Sequence, residues 1–107
     1  MFIHTVIFWL KEDLNEKDRK KFFEGVQKLG LIKSVEKTFI GTPAQTPNRP
    51  VVDNTYDCAL TVVLNNLEEH DQYQDDPIHL EFIKNCSHLW EKVKIFDADE
   101  LVSFAMD

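Results

Sequence analysis

At 107 residues, 43% of them hydrophobic and eight of them phenylalanine, the chain suits one domain over 1–107 with a single core, and it is not a disordered polymer. A formal net charge of −7, from 12 basic and 19 acidic residues, argues against a nucleic-acid or anionic-membrane partner, because neither polyanion gains from such a surface. Cys58 and Cys86 both fall in apolar-patterned segments, which suits reduced, unbridged thiols of a cytoplasmic protein, and no stretch approaches the length of a membrane span.

Phe2 to Leu10 is rich in β-branched and aromatic residues and reads as a strand. It lacks the basic start and small-residue cleavage site of a signal peptide, and it runs straight into Lys11-Glu12-Asp13. Phe2, His4, Val6, Phe8 and Leu10 face one way and Ile3, Thr5, Ile7 and Trp9 the other. Both faces are apolar, so this strand needs cover on two sides.

Asn15 is the predicted N-cap of a helix whose apolar stripe is Phe22, Phe23, Val26 and Leu29. Gly25 weakens that helix by roughly 1 kcal/mol relative to alanine unless something packs closely against it, and Gly30 is the expected stop. Val35 to Ile40 reads as a second strand. Gly41 to Asn54, with Pro43, Pro47 and Pro50, reads as a long loop. A third strand is expected over Thr55 to Leu64, and Asn66 with Glu69 marks the start of a short helix over Leu67 to Gln74.

Asp76 followed by Pro77 is a strong helix start: the carboxylate accepts orphan backbone N–H groups, and proline at the first helical position gives up a donor that has no partner there. The spacing predicts a helix to about Glu91, with His79, Phe82, Ile83 and Cys86 on one face and Trp90 continuing the stripe. Lys92 to Asp97 alternates as a fourth strand, with an extension expected over 101–104. The order is therefore β-α-β-β-α-β with an extra short helix, the split βαβ arrangement. It predicts an α+β, ferredoxin-like, four-stranded antiparallel sheet with helices on one face. The doubly apolar strands predict that the open face meets a second copy.

Ile3-His4-Thr5-Val6-Ile7-Phe8, Tyr56-Asp57-Cys58-Ala59-Leu60, Tyr73 followed by Asp76-Pro77-Ile78-His79 and Phe82, and the closing Val93-Lys94-Ile95-Phe96-Asp97 together resemble the stress-response A/B barrel domain family. The resemblance implies a homodimer closed as a dimeric α+β barrel. Asp76 stands where the family's H-P-x-H segment has its first histidine. Family members of the olivetolic acid cyclase type are similar at His4, Tyr73, His79 and Asp97, which implies a histidine base, a tyrosine and a supporting carboxylate. The same resemblance implies a pocket lined by Cys58, Val26 and Phe82, with Cys58 replacing a histidine and Val26 a tyrosine of the cyclase.

His79, near a helix N-terminus and partly buried, is expected to be neutral. A neutral imidazole beside Tyr73 and Asp97 could take a proton from an activated carbon, with the carboxylate fixing its tautomer. The competing expectation is a core histidine satisfied by one hydrogen bond. His4 points inward with Val6 and Phe8, His88 is expected in solvent, and His70 has no expected role. A metal set drawn from His4, His79, Cys58 and Asp97 has no recognisable ligand spacing, and no phosphate loop or nucleophile motif is present. Neither metal nor cofactor is expected. The leading expectation is a homodimer that binds a small carbonyl or polyketide-like molecule beside His79, with cyclase- or lyase-like acid–base chemistry. A non-enzymatic stress-associated dimer is the alternative, and cofactor-free monooxygenase chemistry, known in related dimeric barrels, is the third.

Overall fold

The computed structural model describes residues 1–101. Its strands are β1 (Phe2–Leu10), β2 (Val35–Gly41), β3 (Cys58–Leu64) and β4 (Trp90–Asp99), and its helices are α1 (Glu16–Lys28), α2 (Leu67–Asp75) and α3 (Pro77–Cys86). The sheet runs β2-β3-β1-β4 with every neighbouring pair antiparallel, which is the ferredoxin-like arrangement expected from the split βαβ order. The extension expected over 101–104 falls, from 102 onward, outside the described residues.

The helix starts follow their caps. Asn15 accepts from the Asp18 N–H, Asn66 from that of Glu69, and Asp76 from that of Ile78, each at 2.8 Å, so one orphan donor per helix is satisfied. Helix ends depart from expectation. No residue among those described has positive φ, so Gly30 is not a left-handed cap. It lies in a 3₁₀ turn over Leu29–Leu31, and its missing Cβ leaves room for Thr38 Oγ1, 3.0 Å from where that carbon would be.

The α3 stripe also stops early, at Cys86. Another 3₁₀ turn, Ser87–Leu89, turns the chain so that Trp90 opens β4 opposite Leu10. The Leu89 carbonyl accepts from the Lys11 N–H at 3.0 Å. Ladder bonds to β1 thus replace those that a continued helix would make. β3 likewise begins at Cys58 rather than Thr55. Asp57 leaves the regular ladder, its N–H donating to the Phe8 carbonyl at 2.9 Å while its carboxylate accepts from the Leu10 N–H at 2.7 Å.

One face of the sheet carries the core. Phe2, Val6, Phe8 and Leu10 of β1 and Cys58, Leu60, Val62 and Leu64 of β3 are buried against Phe22, Val26, Tyr73, Phe82 and Cys86 from the helices. Phe8, Phe22, Phe82 and Trp90 form an aromatic cluster with ring centroids 5.0 to 6.3 Å apart, within the range where edge-to-face contacts add to area burial. Gly25 permits the α1–α3 contact: a Cβ there would meet Phe82 Cδ1 at 3.0 Å and Cys86 Sγ at 3.1 Å. Both cysteines are free and buried.

The opposite face has no helix. Ile3, Thr5, Ile7 and Trp9 lie there half-buried, with Phe39 and Phe96 exposed. Lysines cover part of it, Lys37 over Phe39 at 5.4 Å, Lys92 over Trp9 at 4.4 Å and Lys94 over Phe96 at 5.5 Å. No helix among the described residues is long and apolar enough to cross a membrane.

Candidate functional site

The site is assembled from β1, β4 and the α2–α3 junction. Alternation on β1 turns His4 to the helix side with Val6 and Phe8, and the β1–β4 register sets it opposite Asp97. His4 Nδ1–H donates to Asp97 Oδ1 at 2.5 Å, which fixes the tautomer and leaves Nε2 bare. Tyr73, in the last turn of α2, and His79, in the first turn of α3, are brought together because Asp76 ends one helix and caps the next. Their rings meet edge-on with centroids 4.9 Å apart, and the Tyr73 ring meets His4 at 5.6 Å.

These side chains border a cleft of about 110 Å³ between the helices and the β4 side of the sheet. Its wall includes His4, Tyr73, His79, Phe82, Trp90 and Val93. Val93 and Ile95, 40% and 49% exposed, face it from β4 because the helices do not extend over that strand. A larger hollow of about 450 Å³ between α1 and α3 is lined by Lys21, Glu24, Lys28, Glu81 and Asn85 among others and contains no imidazole. The acid–base groups converge on the smaller cleft.

Electrostatics favour neutral rings. Burial pushes the His4 pKa below its usual value, outweighing the bond to Asp97 and its charge. Burial also lowers that of His79, helped by His4 and opposed by the Gln74 carbonyl and the Asp76 carboxylate. Tyr73 is pushed up by burial and stays a phenol. Nδ1 of His79 is buried without a hydrogen-bond partner. A neutral imidazole with an uncommitted nitrogen, in a ring that borders an apolar cleft, can accept a proton once that nitrogen turns to the cleft, and the phenol can donate to an oxygen.

Several expected placements are corrected. Asp97 supports His4, not His79, because the strand register carries it to β1. Phe82 lines the cleft, but Cys58 and Val26 do not: both are fully buried. Burial with the neighbouring Asp57 charge pushes the Cys58 thiol up to about 12, which leaves no thiolate to act. Ile83, expected on the buried stripe, is partly exposed and joins the cleft wall.

His70 was given no role by sequence reasoning, yet its ring packs on Phe2 at 4.7 Å and on His4 at 5.0 Å. Leu29, Gln74, Trp90 and the β4 residues of the wall were missed as well. Only Trp90 carried a signal, as a large aromatic whose helical position would have ended α3 in a bulky ring next to a strand pattern.

Residues 2–100 match the family model described as Stress responsive A/B Barrel Domain. No curated protein matches the chain. Among solved structures it is similar to a Dabb family protein with a ferredoxin-like fold from Mesorhizobium loti, at 22% identity, 94% of this chain and 97% of that one covered, TM-score 0.75. It is also similar to a hydroxynitrile lyase from Passiflora edulis, at 18% identity, 96% and 95% covered, TM-score 0.77. A third is a dimeric ferredoxin-like protein from Thermobifida fusca, at 15% identity, 91% and 88% covered, TM-score 0.72. At these identities the likeness establishes a shared fold.

Proposed function

The chain belongs to the stress-responsive A/B barrel domain family, and from that premise we propose that it works as a homodimer that binds a small carbonyl compound beside His79 and moves a proton on it. The observation that carries this is His79, whose ring borders an apolar cleft and whose buried Nδ1 has no hydrogen-bond partner. Leaving such a nitrogen unmatched costs roughly 1–3 kcal/mol, a cost that a ligand hydroxyl would offset once the ring turns that nitrogen into the cleft. His79 acts as the base, Tyr73 donates to the carbonyl oxygen, and the Asp97-held His4 keeps the far end of the group polar and oriented. The cleft is about 110 Å³, against roughly 300–1,000 Å³ for drug-sized ligands. That size supports a substrate of a few heavy atoms over a polyketide. A hydroxynitrile lyase among the fold neighbours agrees with acid–base chemistry at small carbonyl compounds.

The dimer would form through the open sheet face, where no helix covers Ile3, Ile7 and Trp9 and where Phe39 and Phe96 are exposed; fold neighbours are described as dimeric. One observation favours a non-enzymatic dimer instead. Asp97 is already engaged by His4, as in a satisfied core network.

Exchange of the α-protons of acetone in D₂O, followed by proton NMR, separates the two. Exchange above the buffer blank that disappears in His79→Ala, with the oligomer unchanged by sedimentation, supports the base. No exchange, together with no acetone-induced shifts of the Val93 and Ile95 amides, leaves the non-enzymatic dimer.

A further inference from the structure

Behind the cleft, on the side facing α2, three potential ligands converge from three elements: His4 of β1, His70 of α2 and Asp97 of β4. One donor atom from each lies within 4.8 Å of the other two. His70 is not part of the cleft wall, so this cluster is a second feature that happens to share His4. We propose that it is a binding site for a first-row divalent transition cation, of the zinc, cobalt or iron(II) kind.

The donor set fits that class. Two imidazole nitrogens and one carboxylate oxygen suit such cations, whereas magnesium and calcium prefer all-oxygen sites. Asp97 is the anionic ligand, and two neutral imidazoles complete three of the positions. The remaining positions open toward solvent along β4, where the Asp97 side chain is 40% exposed.

The state of His70 is the independent observation. Its Nδ1 bonds the Asp71 carboxylate at 3.2 Å, while its Nε2 is buried with no partner. A carboxylate on one ring nitrogen makes that nitrogen the N–H and leaves the other as a lone pair, which is the outer support usual for metal-bound histidine. Without a cation, nothing among the described residues donates to that lone pair.

Two movements are required: His70 must close in, from as far as 4.8 Å, and the His4–Asp97 pair must open. Metal–ligand bonds of about 2.0–2.2 Å hold cis ligands roughly 3 Å apart, so His4 Nδ1 and Asp97 Oδ1 must part slightly from their 2.5 Å bond. Asp97 sits on an edge strand and can swing. The proton that His4 Nδ1 gives to the Asp97 bond moves to Nε2 as the cation takes its place, so the ring stays neutral and its Nδ1 lone pair faces the metal.

Titration of chelator-stripped protein with Co²⁺, followed by its visible d–d bands, tests the site, with far-UV circular dichroism confirming that each variant is folded. The expected result is one Co²⁺ per chain, bands lost in His70→Ala, binding weakened about 10–100-fold in Asp71→Asn, and no change in His88→Ala, whose imidazole is exposed elsewhere. Should His70→Ala misfold, Asp97→Asn replaces it, because that side chain is half exposed and its loss leaves the core intact. Excess Mg²⁺ leaves the titration unchanged. Failure of the wild-type protein to bind Co²⁺, or equal binding by wild type, His70→Ala and Asp97→Asn, overturns the assignment.

Discussion

Replacing Gly25 with alanine sets two effects of known size against each other. Alanine is the better helix former by about 1 kcal/mol, and Gly25 sits inside α1 with ordinary helical geometry. Its new methyl would stand 3.0 Å from Phe82 Cδ1 and 3.1 Å from Cys86 Sγ, where carbon contacts are comfortable only near ~3.5–4.0 Å. Phe82 is hemmed in by Phe8, Phe22 and Trp90, so it gives way only toward the cleft it lines, at the expense of those contacts. Overpacking of this kind costs about 1–3 kcal/mol, so overpacking wins, with a net loss of about 1 kcal/mol. For a domain of this size that lowers Tm by about 4–8 °C. Urea unfolding read by tryptophan fluorescence should show a lower midpoint with an unchanged slope. A variant more stable than wild type by the full propensity gain would show that α1 and α3 do not touch as closely as described, and the account of the aromatic cluster would fall with it.

The Cys58 thiol, raised to about 12 from a usual 9.0, should resist thiol reagents in the folded protein at mildly alkaline pH. The raised folded value means stability is fully present below pH 9.0 and is lost as pH climbs toward about 12; rapid labelling of Cys58 under native conditions would contradict this. For His79 the sign is opposite. Its folded pKa lies below the usual 6.5, so stability is present above 6.5 and lost as pH falls through the lowered folded value, and His79→Gln should flatten that acid limb; an NMR titration midpoint above 6.5 would refute it. Ile7→Lys places another cation beside Lys92 and Lys94 on the open sheet face and should yield monomer in sedimentation velocity; an unaltered dimer would rule that face out as the interface.

What could be read from the sequence were features settled by neighbours in the chain. The caps at Asn15, Asn66 and Asp76 and the alternation of β1 depend on a few consecutive residues, and each appears where its chemistry puts it. Partners across the sheet depend on register, which no local pattern encodes. Asp97 therefore had two plausible histidines, and only the pairing of His4 with Asp97 chose between them. His70 was hidden for a related reason: α2 is rich in acidic residues, and a charged helix gives no hint that one of its rings turns in against Phe2. Cys58 and Val26 looked like pocket residues by resemblance, but their depth in the core follows from α1 settling on the sheet through Phe22, whose ring meets Phe8 of β1. The early end of α3 at Cys86 likewise follows from Trp90 pairing with Leu10, a contact eighty residues away in the chain.

The central position of β1 carries a consequence for the birth of the molecule. Both of its neighbours, β3 and β4, follow it in the chain, so during translation it leaves the ribosome well before either exists. At about 5–20 residues per second, synthesis takes several seconds to pass from Leu10 to the end of β3 and longer to reach Trp90. Throughout that interval nine residues with apolar side chains on both faces have no strand to pair with. Local helices can form meanwhile, but the β1–β4 ladder closes last and over the longest separation, a topology that slows folding. The nascent chain is therefore a natural client for a holding chaperone, and the His4–Asp97 contact is among the last native contacts available to it.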